Sequence, residues 1–355
     1  MKEKTSEIIT RLETNHSLSK EEYIFLLEEF LHGNKADEIS STLKEKAVAV
    51  RKSIYGNSVF IRGLIEFTNY CKNDCFYCGI RHSNTKSNRY RLTEDEILQC
   101  TDEGYQLGFR TFVLQGGEDP FFTDEKLCSI ISKIKNSHPD CAITLSIGER
   151  SLESYRVLRK AGADRYLLRH ETASEEHYKK LHPESQSYKN RINCLKNLRS
   201  NGYTVGCGFM VGSPFQTVEN LAEDLIFIQE FQPEMCGIGP FISHKDTPFA
   251  DYPAGSAELT CFLLSIIRLI KPNILLPATT ALGTVAPNGR EKGILSGANV
   301  IMPNLSPVSV RKDYSLYNGK ICTGEESAQC IACLKRRIES TSYEIVIDRG
   351  DIKSI

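Results

Sequence analysis

The sequence lacks an excess of either charge. Its 355 residues carry 44 Lys and Arg against 45 Asp and Glu, a formal net charge of −1 with histidines neutral. That balance offers no bulk attraction to nucleic acid or to an anionic membrane, and no basic stripe interrupts it. The chain also lacks an apolar run of membrane-spanning length: the most apolar stretch, CFLLSIIRLI at 261–270, is too short and contains Arg268. Its first residues, MKEKTSEIITRLE, mix both charge signs with apolar residues and read as an amphipathic helix, not a signal peptide. Low-complexity tracts and short repeats are missing as well. Cysteine, by contrast, is plentiful, with 13 residues. An odd, high count without an export signal reads as reduced thiols and metal ligands, and the expected compartment is a reducing cytoplasm.

Residues 1–55 read as helices, with a capping box at Ser19 and Glu22 followed by apolar Ile24, Leu27, Phe30 and Leu31. From there β-branched apolar runs alternate with amphipathic ones. The candidate strands are 59–68, 110–117, 142–149, 165–172, 204–212, 234–242, 273–281 and 298–306. Helices with start signals lie between most of them, among them LTEDEILQCTDEGYQLG with Thr93 and Glu96, TDEKLCSIISKIK, and TVENLAEDLIFIQEF. Glycine punctuation closes several, as in KAGADR and RSNGYT. Eight strands alternating with helices predict an α/β fold, a (β/α)8 TIM-type barrel over 56–306, with an open doubly wound sheet as the alternative. Residues 1–55 would be an N-terminal helical extension, and 307–355 a C-terminal appendage with its own cysteines.

NYCKNDCFYCGIR places Cys71, Cys75 and Cys78 directly after the first predicted strand. In a β/α barrel that end of the strand carries the active site. A structural metal site normally takes four ligands. Three thiolates around a four-iron cube leave one iron without a protein ligand. A molecule bringing both a nitrogen and an oxygen, such as the amino and carboxylate ends of a methionine moiety, would complete it. Zinc held by the same cysteines with His82 is the alternative.

The pattern C-x3-C-x-aromatic-C, with Tyr77 as the aromatic, resembles the signature of radical S-adenosylmethionine enzymes. The resemblance implies a 4Fe–4S cluster that passes one electron to the sulfonium of S-adenosylmethionine, giving methionine and a 5′-deoxyadenosyl radical. It also implies a low-potential electron donor, a reduced ferredoxin or flavodoxin.

LQGGED at 114–119 is similar to the family's GGE motif, which would put Gly116, Gly117 and Glu118 against the methionine amino group. Glycines there let backbone approach a ligand, although an ordinary βα turn would use them too. RHET at 169–172 sets Arg169 and Glu171 at the barrel mouth, where charges are rare unless paired or ligand-bound. By resemblance Glu171 accepts from the ribose hydroxyls, Arg191 grips the methionine carboxylate through its planar fork, and Ser146 adds a contact. A solvated charge on a helix face is the plainer reading of Arg191. GIGPFISHKDTPF at 237–249 resembles a segment of the biotin-synthase-like branch whose backbone lines the adenine.

The C-terminal run holds Cys322, Cys330 and Cys333, again three cysteines without a fourth. They suggest a second 2Fe–2S or 4Fe–4S site with an open position, although zinc with an exogenous ligand fits too. Together with the first motif, this resembles the FeFe-hydrogenase maturation enzymes of the HydE family over about residues 55–350. The implied role is to process an iron species bearing cysteine, carbonyl and cyanide toward the di-iron subcluster, alongside other hydrogenase maturation proteins. Carried over one position at a time, Thr144, Arg169, Thr279, Thr280 and Tyr317 would bind that anionic substrate. Strand propensity alone explains many such threonines. Two relatives compete, a methylornithine synthase-like lysine mutase and biotin synthase. The latter needs interior-strand cysteines for a second cluster, and here only Cys207 is available.

Overall fold

The computed structural model describes residues 2–324 and 330–354, with side chains from residue 4 onward. Three helices lead the chain, Lys2–Asn15 (α1), Lys20–His32 (α2) and Ala36–Tyr55 (α3). The capping box at Ser19 and Glu22 forms as expected, each side chain accepting from the other's backbone N–H. This helical extension packs on the outer helices. Phe30 stacks on Phe262 with ring centroids 4.2 Å apart, and Tyr23 donates to Gln229 Oε1 at 2.8 Å.

The rest is a largely parallel sheet core with flanking helices. Its strands are β1 (Ser58–Ile61), β2 (Gly63–Thr68), β3 (Thr111–Gly116), β4 (Ala142–Ser146), β5 (Arg165–Leu167) and β6 (Thr204–Cys207). Then come β7 (Met210–Val211), β8 (Met235–Cys236), β9 (Gly239–Pro240), β10 (Val300–Ile301) and β11 (Glu344–Val346). Six pair in the order β2-β3-β4-β5-β6-β8, while β10-β1-β11 and β7-β9 form smaller sheets. Isolated parallel bridges, Met235–Leu275, Pro277–Val300 and Leu64–Asn304, carry the pairing from β8 round toward β2. The architecture is that of a partial TIM-type barrel. The helix Asp124–Ser137 shows how its outer layer is held: Leu127, Ile130, Ile131 and Ile134 recur at helical spacing and are buried. Each such side chain contributes roughly 1.5–3 kcal/mol of burial.

The strands are shorter than the apolar runs predict, for local reasons. The run 59–68 divides at Arg62, because β1 pairs with β10 and β11 whereas β2 pairs with β3. The runs 204–212 and 234–242 each break where Gly208 crosses Gly237; a Cβ at Gly208 would stand 2.1 Å from the Gly237 carbonyl oxygen. The run 165–172 stops as a strand at Leu167, and Glu171 adopts a left-handed φ of +67°. The run 273–281 supplies bridges in place of a strand, and Pro277 within it has no N–H for a ladder.

The C-terminal residues meet the sheet at both ends. β11 pairs in parallel with β1, and Arg165 on β5 donates to the Arg349 carbonyl at 2.8 Å and to Asp351 at 2.6 Å. At the other end Tyr314, Leu316 and Tyr317 line the cavity described below. Among the described residues no helix is long and apolar enough to cross a membrane.

Candidate active site

The C-terminal ends of the sheet strands surround a cavity of about 300 Å³, and all three cysteines of the loop after β2 line it. That loop is pinned from within. Asn69 at its start donates to the carbonyls of Asn88 (2.7 Å) and Asp313 (2.8 Å) and accepts from the Tyr90 N–H (2.8 Å). Arg89 donates to the carbonyls of Ile80 (2.9 Å) and Arg81 (2.6 Å), and also to that of Asn69. The loop backbone is thus tied to one guanidinium, whose planar fork reaches several carbonyls at once.

Gly117 lets the end of β3 meet this loop. A Cβ there would stand 2.2 Å from the Tyr70 carbonyl oxygen and 2.7 Å from Cys71 Cβ. One residue on, the Glu118 N–H donates to Cys71 Sγ at 3.4 Å, and its carbonyl accepts from the Lys72 N–H at 2.9 Å. The Glu118 carboxylate accepts from the Glu149 N–H (2.9 Å) and pairs with Lys72 (3.2 Å).

The donor set suits an iron–sulfur cube. Burial pushes the Cys71 thiol up and Cys75 up to about 12; Cys78 is pushed up by burial and then by Cys75 and Cys71. Three thiolates packed this way need a positive centre between them, which bound iron would provide. Among the described residues no three His, Cys, Asp or Glu side chains converge on a position for a single metal ion. His82, the fourth ligand of the zinc alternative, is exposed and lies outside the cavity wall, its N–H on the Asn73 carbonyl at 2.8 Å.

Across the cavity, Arg169 and Glu171 project from the segment after β5. Arg169 Nη2 and Glu171 Oε2 pair as ions at 3.2 Å without hydrogen-bond geometry, and Arg169 Nε makes no hydrogen bond. Buried polar atoms are rarely left so unless a ligand or water completes them. Arg191 also reaches the wall, but it is no solvated helix-face charge. Its Nε donates to Glu149 Oε1 at 2.6 Å and its Nη1 to the Arg169 carbonyl at 3.0 Å. Burial opposes its charge; the carboxylates of Glu149 and Glu118 outweigh that and hold it firmly cationic. Tyr77 lines the same space and hydrogen-bonds through its hydroxyl to His182 Nε2 at 3.1 Å.

The structure brings Cys71, Cys75, Tyr77, Cys78, Gly116, Gly117, Glu118, Ser146, Arg169, Glu171, Arg191, Thr279 and Tyr317 to one cavity. Two expected substrate residues are outside its wall. Thr280 accepts from Arg290 Nη2 at 3.4 Å, since the chain turns into a helix there with Thr279 as its cap. Thr144 is buried two residues before Ser146 on β4, back from the cavity end of the strand, its hydroxyl without a hydrogen bond. The second cysteine set is also apart from the cavity. Cys330 and Cys333 are joined as a disulfide with Cα atoms 5.3 Å apart, where the sequence predicts free thiols, and Cys322 Sγ lies 3.1 Å from Arg290 Nη2. Cys207 packs in the main apolar core with Cys236, not in the cavity wall. A second cluster in the biotin-synthase manner therefore has no thiol facing the cavity from that strand.

Sequence reasoning missed two contributors to the site and one buried cation away from it. Tyr314 lines the mouth three residues before Tyr317, within the same DYSLYNG run. Glu149, just after Ser146 in TLSIGE, holds Arg191. Arg62 is buried at the other end of the sheet, with Nη1 3.0 Å from Met235 Sδ and Nε and Nη2 unbonded. Its position inside an apolar run was the signal.

The sequence matches the profile described as "Radical SAM superfamily" over residues 65–228. It is 43% identical over 316 residues to the [FeFe] hydrogenase maturase subunit HydE of Thermotoga maritima, covering 89% of this chain and 90% of that one. It is 27% identical to 3-methylornithine synthase of Methanosarcina acetivorans, covering 87% of each. The crystal structure of methylornithine synthase superposes with a TM-score of 0.81 at 26% identity, over 96% of this chain and 97% of that one. The chain therefore belongs to the radical SAM superfamily, closely related to the HydE-family hydrogenase maturases, and is a SAM-cleaving enzyme.

Proposed function

We propose that the protein processes an iron–carbonyl–cyanide–cysteine precursor toward the di-iron subcluster of FeFe-hydrogenase. The observation that carries this reading is the 43% identity to the HydE maturase across about nine-tenths of both chains. In the reading, Cys71, Cys75 and Cys78 hold a 4Fe–4S cluster. With S-adenosylmethionine bound, that cluster supplies the reducing electron for a 5′-deoxyadenosyl radical.

The chain's own residues then have these tasks. Gly116 and Gly117 bring backbone to the cofactor's amino end, with Glu118 fixing the loop through Cys71 and Lys72. Glu171 accepts from ribose hydroxyls. Arg191, aligned by Glu149, faces the carboxylate, and Ser146 and Tyr77 complete the wall. Arg169, whose Nε and Nη2 make no hydrogen bond, Thr279 and Tyr317 meet an anionic substrate, and Thr144 lies deeper along its path. Thr280 stays in the reading as a support for Arg290.

We read the bridges between β8 and β2 as closing an eight-stranded (β/α)8 barrel over 56–306, between the 1–55 extension and the 307–355 appendage. Reduced, Cys322, Cys330 and Cys333 hold a second 2Fe–2S or 4Fe–4S cluster. A ferredoxin or flavodoxin delivers electrons, and other hydrogenase maturation proteins exchange substrate and product.

The structural likeness to methylornithine synthase supports one other reading, a lysine mutase. Anaerobically reconstituted protein given S-adenosylmethionine and reductant separates them. Deoxyadenosine formation stimulated by a synthetic cysteine-bound iron carbonyl cyanide complex is expected. Stimulation by lysine, with methylornithine formed, would overturn the maturase reading.

A further inference from the structure

Glu171 is one of few non-glycine residues with a left-handed backbone, at φ +67°. A side chain with a Cβ enters that region only when its surroundings impose it. Glu171 itself forms an isolated parallel bridge with Phe209: its N–H donates to the Gly208 carbonyl at 3.0 Å, and its carbonyl accepts from Met210 at 3.4 Å. A further constraint flanks it on both sides and comes from one carboxylate oxygen. Asp224 Oδ1, on the helix Val218–Phe231, accepts from His170 Nε2 at 3.1 Å and from the Ala173 N–H at 2.6 Å. It therefore grips the residue before Glu171 and the second residue after it.

Both partners are fully buried, each with a side-chain exposure of 0%. The His170 tautomer follows from the hydrogen bonds. Gly208 N–H donates to Nδ1 at 3.3 Å, so Nδ1 is the acceptor and the proton sits on Nε2, facing Asp224. Burial pushes His170 down to about 3, which keeps the ring neutral in that tautomer. Neither side chain lines the cavity, whereas Glu171 does.

We infer that Asp224 and His170 are positioning residues for Glu171: they hold its backbone in the left-handed conformation that sets its carboxylate on the cavity wall. The inference deepens the reading of Glu171 as the acceptor for the cofactor's ribose, and rests on it. A ligand diol then meets a carboxylate already placed, so the cost of ordering it is met by the fold and not by binding.

The test is a double-mutant cycle read as affinity. S-adenosylmethionine binding is measured by equilibrium dialysis on anaerobically cluster-loaded protein, for wild type, Glu171→Ala, His170→Phe and the double variant. His170→Phe keeps a ring packed against Phe227 and Phe209, now at centroid distances of 4.5 and 5.9 Å, and removes only the Nε2–H and the Nδ1 acceptor. Each single variant is expected to weaken binding by about tenfold, the worth of one charge-assisted hydrogen bond. The double variant should be no weaker than Glu171→Ala, because His170 acts through Glu171. Asp224→Leu, with iron content checked, should behave like His170→Phe.

If Glu171→Ala binds as wild type does, the ribose reading fails and this inference with it. If Glu171→Ala weakens binding but His170→Phe does not, the ribose reading survives and the positioning role is overturned. The positioning role also fails if His170→Phe weakens binding by an equal factor in the Glu171→Ala background, since that is a general structural effect.

Discussion

Lys320 donates to Glu66 Oε1 across 2.6 Å, between side chains that are 8% and 1% exposed. Glu66 belongs to the first long strand of the core, and Lys320 to the segment that places Tyr314 and Tyr317 on the cavity wall. Asn304 donates to the other carboxylate oxygen at 2.8 Å, and the Tyr314 carbonyl accepts from Lys320 at 2.9 Å. A buried pair whose remaining atoms are satisfied fixes geometry, whatever its net contribution to stability.

Lys320→Met should therefore destabilise the protein by about 3–5 kcal/mol, because it strands a buried carboxylate. Glu66→Gln combined with Lys320→Met should recover part of that loss, since neither charge then remains. Urea unfolding of the three proteins measures both effects.

Stability should fall on acidification below neutral pH. Burial pushes His170 and His182 each down from 6.5 to about 3. Between those values the unfolded chain takes up protons that the folded chain refuses, so the unfolded state binds more protons. Stability conferred by the two neutral rings is thus present above about pH 6.5 and lost as pH falls toward about 3. The slope is up to roughly 1.4 kcal/mol per pH unit for each ring. Unfolding free energies at several pH values check this, and His170→Phe should flatten the profile.

Gly117→Ala should cost the protein most of its cluster. The added Cβ meets the Tyr70 carbonyl and Cys71 Cβ, and neither is the far end of a flexible side chain. Iron and sulfide analysis after anaerobic reconstitution tests it, with circular dichroism to show that the fold persists.

Cys330→Ala should remove iron from the C-terminal set and leave deoxyadenosine formation close to that of wild type, since none of its three cysteines lines the cavity. Iron stoichiometry and product analysis on the same preparation separate the two effects.

The sequence made the site more legible than the fold's details. The three cysteines, the double glycine and RHET announce themselves by type and spacing, and the structure gathers them. The helix starts at Ser19 and Thr93 were equally readable, because a capping box is a local interaction. What was not readable depends on distant partners. Nothing local to Arg62 tells that its strand changes neighbours there, or that β11 returns to pair with β1. The left-handed Glu171 is likewise set by Asp224, more than fifty residues later. Thr144 and Thr280 carried only a residue type and a strand position, too little to fix where either side chain points.

Electron paramagnetic resonance of the anaerobically reconstituted, reduced protein, recorded with and without S-adenosylmethionine, reads the open iron itself. In the Cys330→Ala background a 4Fe–4S signal is expected that shifts when the cofactor is added, because the cofactor completes the iron that Cys71, Cys75 and Cys78 leave open, and that vanishes when Cys75→Ala is added. A signal indifferent to the cofactor, or zinc in place of iron at these cysteines, would contradict it.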